Sequence, residues 1–289
     1  MTGAQDDGAF KALTQQISRA RGFSCEAYKD KCLRRRIAVR MRARGVHTFE
    51  DYRRLLDQDA HEYDLLLDAL TINVTKFYRN AETWDALAAT HLPALWHAGS
   101  GRVRAWSAGC ASGEEPYTVA VVLAEAARAV AGVVGGEAGA APALAGARVD
   151  ATDVDRASLE KTRAAAWPES AFTEMPPALV RRYFSAAPGP TPSSPPLRQA
   201  IPELQRLIRV LHHDLVRDAP PDPPYDLIVC RNVVIYFDRS TQERLFARFS
   251  EALRPGGLLV LGKVETLLGA ARVRLELLDP RERIYRRPA

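Results

Sequence analysis

The chain has 289 residues, 47% of them hydrophobic, and a formal charge of +5. That is enough apolar material for one large domain, or a medium domain with a small partner, and too little charge imbalance to imply nucleic acid by itself. The start lacks a basic stretch followed by an apolar run, and the longest apolar-looking stretch, Val119 to Val134, carries Glu125 and Arg128 and is too short to span a bilayer. The expectation is therefore a soluble, cytoplasmic protein. Cys25, Cys32, Cys110 and Cys230 form no C-x-x-C pair, so they read as reduced, mostly buried thiols without a zinc site or disulfide framework.

Residues 1 to about 75 read as helices. Between Tyr28 and Arg44, Leu33, Ile37 and Met41 recur every four residues and predict one buried helical face. Arg36, Arg40 and Arg44 repeat at the same spacing and are expected to face solvent as a basic stripe, with Gly45 as the helix stop. Such a stripe suits an acidic protein surface or a nucleic acid, or is simply a solvated face.

Residues 80–98 predict a linking helix bent or ended by Pro93. Strands and helices then alternate. Strands are expected at Arg102–Ser107, Ala147–Thr152, Leu207–Leu211, Tyr225–Cys230 and Leu258–Leu261, with helices from Pro116, over Asp155–Ala165 and over Ser240–Leu253. Val273–Leu278 and Arg283–Tyr285 suggest a final hairpin. The alternation predicts a doubly wound α/β sheet. Ala131–Gly146 reads as an Ala/Gly-rich loop, and Ala186–Pro196 as a flexible or polyproline-like connection.

Three segments carry chemistry. In Ala105–Tyr117, Gly109 and Gly113 let the backbone bend close to a ligand ahead of a helix whose first turn holds Glu114, Glu115 and Pro116. Carboxylates there favour a ligand with positive groups over a phosphate. In Val149–Asp155, an acid ending the second strand accepts hydrogen bonds from ribose hydroxyls; Asp153 is the candidate, and Asp155 reads as a helix cap. In Asp226–Asp238, an apolar strand ends in Arg231 and Asn232, at the edge where α/β folds bind ligands.

The segments L-T-I-N-V-T-K-F-Y-R (70–79), W-S-A-G-C-A-S-G-E-E-P-Y (106–117), A-T-D-V-D (151–155) and C-R-N-V-V-I-Y-F-D (230–238), with the basic stretch Y-K-D-K-C-L-R-R-R-I-A-V-R-M, resemble the CheR family of chemotaxis receptor glutamate methyltransferases. The resemblance runs in order from about residue 20 to the C-terminus. It implies a helical N-terminal receptor-docking domain (1–75), a linker helix (76–98) and a Rossmann-like class I methyltransferase domain (99–289) with a small inserted β-subdomain (182–210). It implies S-adenosylmethionine as cofactor, S-adenosylhomocysteine as product, and no metal. Asn73, Thr75 and Arg79 would reach the cofactor site; Glu115 would contact the cofactor, Asp153 the ribose, Asp214 and Leu215 the adenine, and Asn232 and Val233 the cofactor at the fourth strand. Arg79 and Tyr236 would orient the reacting groups, and Arg36, Arg40 and Arg44 would dock the substrate.

The implied partner is the cytoplasmic helical region of a methyl-accepting receptor, met by a monomer without nucleic acid or membrane insertion. Asp214 stands where the family carries asparagine, and Gly-Lys-Val-Glu (262–265) where Gly-x-Ser-Glu is familiar. The altered proline-rich insert implies no use of a receptor tether peptide. The competing readings are a non-catalytic module binding cofactor or receptor, and a nucleic-acid methyltransferase. Against the latter stand the lack of an N-P-P-Y motif and of an aromatic-rich basic surface.

Overall fold

The computed structural model describes residues 2–71, 75–100, 102–130, 144, 146–189, 191 and 193–289. It divides into two compact units, Met1–Ile72 with Ile235–Gln242, and Asn73–Val234 with Glu243–Ala289. Asn73 and most of the Ala131–Gly146 stretch lie outside the described residues. No helix of the described residues is long and apolar enough to cross a membrane.

The first unit is helical: α1 (Thr2–Arg21), α2 (Asp30–Ala43), α3 (Phe49–Gln58) and α4 (Ala60–Leu70). Leu13 and Ile17 of α1, Leu33 and Ile37 of α2, Tyr52 and Leu56 of α3 and Leu66 of α4 form its core. Gly45, at φ 65°, ends α2 in the left-handed conformation that glycine adopts without strain. The Thr48 hydroxyl accepts from Asp51 N–H (3.1 Å) to start α3, and the Asp59 carboxylate accepts from His61 and Glu62 N–H to start α4.

The expected solvent-facing stripe does not hold for Arg36 and Arg40, which are half-buried, whereas Arg44 is exposed as expected. Arg40 donates to Glu62, a fully buried carboxylate of α4, through Nη2 (2.7 Å) and Nε (3.0 Å). Arg44 reaches Glu62 at 3.3 Å and Asp59 at 3.0 Å, and Arg36 donates to the Ala69 carbonyl at 2.7 Å. Arg36 and Arg40 flank the buried face of Leu33, Ile37 and Met41, and acceptors on α4 draw their side chains inward. The residues opposite that face are Lys31, Arg35 and Arg42, all exposed, with Val39 between them.

The second unit begins with an interrupted helix: α5 (Ala81–Ala86), a π turn (Leu87–His91) and α6 (Leu92–Ala98). Pro93 has no N–H for the preceding turn, which accounts for the wide turn ahead of it. A seven-stranded sheet follows, built from β1 (Arg104–Ala108), β2 (Arg148–Asp153), β6 (Ile208–His212), β7 (Tyr225–Cys230), β8 (Leu253–Leu261), β9 (Glu276–Asp279) and β10 (Ile284–Arg286). Its order is β6-β2-β1-β7-β8-β10-β9, parallel except at β10 and β9. The chain winds outward from β1 through β2 to β6, then returns to β7 on the other side of β1, so the expected doubly wound sheet reverses at β1/β7.

Helices α7 (Glu114–Val130) and α8 (Arg156–Ala164) pack on β1, β2 and β6. Trp106 of β1 stacks on Tyr225 of β7 with centroids 5.4 Å apart, and its Nε1–H donates to Thr152 at 2.8 Å. Helix α11 (Arg239–Ala252) precedes β8; the short helices α9 (Pro177–Tyr183), α10 (Pro202–Gln205) and α12 (Ala271–Arg274) complete the set.

A separate antiparallel sheet orders β3 (Ala166–Pro168), β5 (Leu197–Ala200) and β4 (Phe184–Ala187). It therefore starts ahead of the expected 182–210 span, with β3 following α8 directly. Phe77 stacks on Phe172 (4.4 Å) and meets Phe184 edge-on (5.0 Å), so this sheet's aromatic cluster seats the chain just before Arg79.

Candidate active site

At the end of β1 the chain turns sharply. Gly109 and Cys110 N–H both donate to the Thr152 carbonyl at 2.9 Å. Gly109 has φ 84°, and a Cβ there would lie 2.6 Å from Val233 Cγ2; Ala111 and Gly113 also have positive φ. Only a side-chain-free residue at 109 lets this loop pack against the end of β7. The loop delivers Glu115, whose Oε1 accepts from the Ser107 hydroxyl at 2.8 Å. Burial pushes the Glu115 carboxyl up to about 7, although Arg231, Ser107 and Arg79 each pull it down.

Asp153 ends β2 beside this loop. Its Oδ2 accepts from Ala111 N–H and its Oδ1 from Asp155 N–H, both at 2.9 Å, and burial nevertheless raises its pKa. Asp155 caps α8, its Oδ1 accepting from Ala157 N–H at 2.9 Å, the role expected of it.

At the end of β7, Asn232 takes φ 60°. Its N–H donates to Glu265 Oε2 at 2.9 Å, and Gly262 N–H donates to the same oxygen at 2.6 Å. Asn232 Oδ1 is buried without a partner among the described residues. Glu265, buried at 2% exposure, joins the ends of β7 and β8. It was not singled out as a site residue, and only its place in the Gly-Lys-Val-Glu segment hinted at it. Lys263 instead points to Glu82 (3.2 Å) and Glu282 (3.3 Å).

Thr75 and Arg79 are half-buried in the same unit. Arg79 sits in a turn between two left-handed residues, Tyr78 (φ 56°) and Asn80 (φ 60°). Asp214 and Leu215 follow β6. The Asp214 Oδ1 accepts from Val216 N–H at 2.8 Å, and the Leu215 carbonyl accepts from Arg248 at 3.1 Å. Tyr236 belongs to the helical unit, where its carbonyl accepts from Lys29 N–H at 2.9 Å and its ring lies 5.9 Å from the Arg36 guanidinium carbon. Cys110 and Cys230 are buried, and burial raises both thiol pKa values, the opposite of an activated nucleophile.

Residues 73–281 match the family model described as "CheR methyltransferase, SAM binding domain". The chain belongs to the CheR family. The CheR all-alpha domain model matches residues 8–71. Chemotaxis protein methyltransferases are similar over most of their length. That of Klebsiella aerogenes is 35% identical, over 90% of this chain and 83% of its own. The Salmonella typhimurium protein is 33% identical over 93% and 87%, and that of Listeria innocua 31% over 90% and 90%. This CheR chain is accordingly an S-adenosylmethionine-dependent methyltransferase. These residues fit that cofactor: the Glu115 carboxylate suits an ammonium, Asp153 retains acceptor capacity beyond its two N–H bonds, and Asn232 offers a buried oxygen with no partner among the described residues.

Proposed function

We propose that this chain esterifies glutamate side-chain carboxylates on the helical cytoplasmic region of a methyl-accepting chemotaxis receptor, without using a receptor tether peptide. The observation that carries this reading is Arg79, a half-buried guanidinium held in a constrained turn between two left-handed residues. When bound, S-adenosylmethionine supplies the methyl group. Glu115 takes its ammonium and Asp153 its ribose hydroxyls. Asn73, Thr75, Asn232 and Val233 line it, and Leu215 and Asp214 flank the adenine, with the Asp214 carboxylate partly engaged in its own turn. A glutamate with pKa about 4.3 is already ionised at neutral pH, so no general base is required. Arg79 aligns that carboxylate, and the Tyr236 hydroxyl steers one or the other reacting partner.

The loop 188–196 contains Pro188, Pro190, Pro192, Pro195 and Pro196 and so offers few N–H groups to an added peptide strand, which supports tether independence. Radiolabelled S-adenosylmethionine and receptor-containing membranes should yield a receptor-sized band whose label mild alkali releases as methanol, equally for full-length and tail-truncated receptor. Alkali-stable label would overturn the esterification; loss of labelling with the tail would overturn tether independence alone.

Docking is assigned to the exposed face of α2, Lys31, Arg35 and Arg42 around Val39, which complements a glutamate-rich receptor helix. Reversing these three charges to glutamate should raise the receptor KM about tenfold or more and flatten its salt dependence, with adenosylhomocysteine affinity unchanged. An unchanged KM would remove α2 from docking.

A further inference from the structure

We propose that Arg231 is a positioning residue that, through Asn80, fixes the turn carrying Arg79. The inference rests on the reading of Arg79 as the group that aligns substrate. Arg231 follows β7 and is 6% exposed. Its Nη2 donates to Asn80 Oδ1 at 2.8 Å, across 151 residues of sequence, and its guanidinium carbon lies 5.1 Å from the centroid of the Trp84 ring. Trp84 Nε1–H in turn donates to the Arg79 carbonyl at 3.1 Å. One buried cation thus reaches the turn on two sides, by its Nη2–H to Asn80 and by its guanidinium to the indole that holds Arg79, a double role a lysine's point charge does not reproduce.

The turn needs such support. Tyr78 and Asn80 both occupy the left-handed region, which non-glycine residues hold only where their surroundings over-determine it. Tyr78 N–H is taken by Thr118 Oγ1 at 3.1 Å and Asn80 N–H by Glu174 Oε2 at 2.9 Å, which secures the backbone. The Asn80 side chain is the link to β7. Asn232, which is assigned to the cofactor, is the next residue after Arg231, so a single strand end registers the aligning turn against the cofactor side.

Asn80 variants test this while keeping the buried arginine itself in place. Asn80→Gly keeps the left-handed backbone and removes the acceptor; Asn80→Asp restores an acceptor. In Asn80→Gly, amide hydrogen exchange of the 76–84 segment should quicken about fivefold. Methyl transfer kcat should fall about 10- to 100-fold, with adenosylhomocysteine Kd within about threefold of wild type. Asn80→Asp should return exchange and kcat to within about threefold of wild type. Exchange in Asn80→Gly equal to wild type, or Asn80→Asp behaving like Asn80→Gly, would overturn the proposal. A wild-type enzyme that methylates no receptor would sink the proposed function, while the exchange comparison still decides the role of Arg231.

Discussion

Adenosylhomocysteine should bind about tenfold more weakly for each pH unit below about 7, with a plateau above it, because Glu115 must lose its proton to pair with the ligand ammonium. The sign follows from burial. In the free protein the carboxyl is pushed up to about 7, and an approaching cation favours the ionised form. Binding below pH 7 therefore expels a proton, visible by calorimetry in buffers of differing ionisation enthalpy. Glu115→Gln should remove the slope and weaken binding at pH 8 by about 2–4 kcal/mol, roughly 30- to 1000-fold. The same substitution should stabilise the ligand-free fold. A carboxyl whose folded pKa exceeds its ordinary value of 4.5 loses stability as pH rises from about 4.5 to about 7. Removing the charge returns at most roughly 3 kcal/mol, read as a higher melting temperature at pH 8 than at pH 5 relative to wild type. An affinity flat from pH 5.5 to 8 would separate Glu115 from the ligand's positive group.

The parts of this architecture legible in sequence are those that local rules control. Tyr225–Cys230 is apolar but for Asp226 and is a strand buried at every position. Asp155 sits where a cap belongs and caps. What escaped depends on partners distant in sequence or on small geometric drifts. The strand β3 is only Ala166–Pro168, too short for alternation, and its proline is tolerated because β3 lies at a sheet edge. Strand β8 was expected from Leu258 but begins at Leu253, because a register shift between Tyr225 and Leu227 lets the Pro255–Gly257 segment bulge within it. The Glu265 link to Asn232 spans 33 residues and the Arg231 link to Asn80 spans 151, and neither leaves a local pattern. Motif resemblance named Asn232 because it could stand as a contact; it did not name the buried acid that holds its backbone.

The stripe on α2 shows the same limit and leads to the largest stability effect. Glu62→Leu should cost about 3 kcal/mol, because it leaves Arg40, half-buried against α4, and the buried Tyr52 hydroxyl without their acceptor. Glu62 is fully buried and accepts from Arg40 twice, from Arg44, and from the Tyr52 hydroxyl at 2.7 Å. Burial alone would raise its pKa; the Arg40 and Tyr52 hydrogen bonds and the charges of Arg40 and Arg44 outweigh it and hold the group below its ordinary value. A depressed folded pKa means this contribution is present above pH about 4.5 and is lost as the pH falls below it. Urea unfolding of the full chain, followed by far-ultraviolet circular dichroism, should show the helical unit's transition moving to lower urea in Glu62→Leu at pH 7, with the gap from wild type closing toward pH 3. Adding Arg40→Met and Tyr52→Phe should recover most of the loss, since an apolar set of similar volume replaces the network. A Glu62→Leu chain as stable as wild type at pH 7 would mean that Arg40 swings free to solvent, and would return it to the docking face that the spacing first suggested.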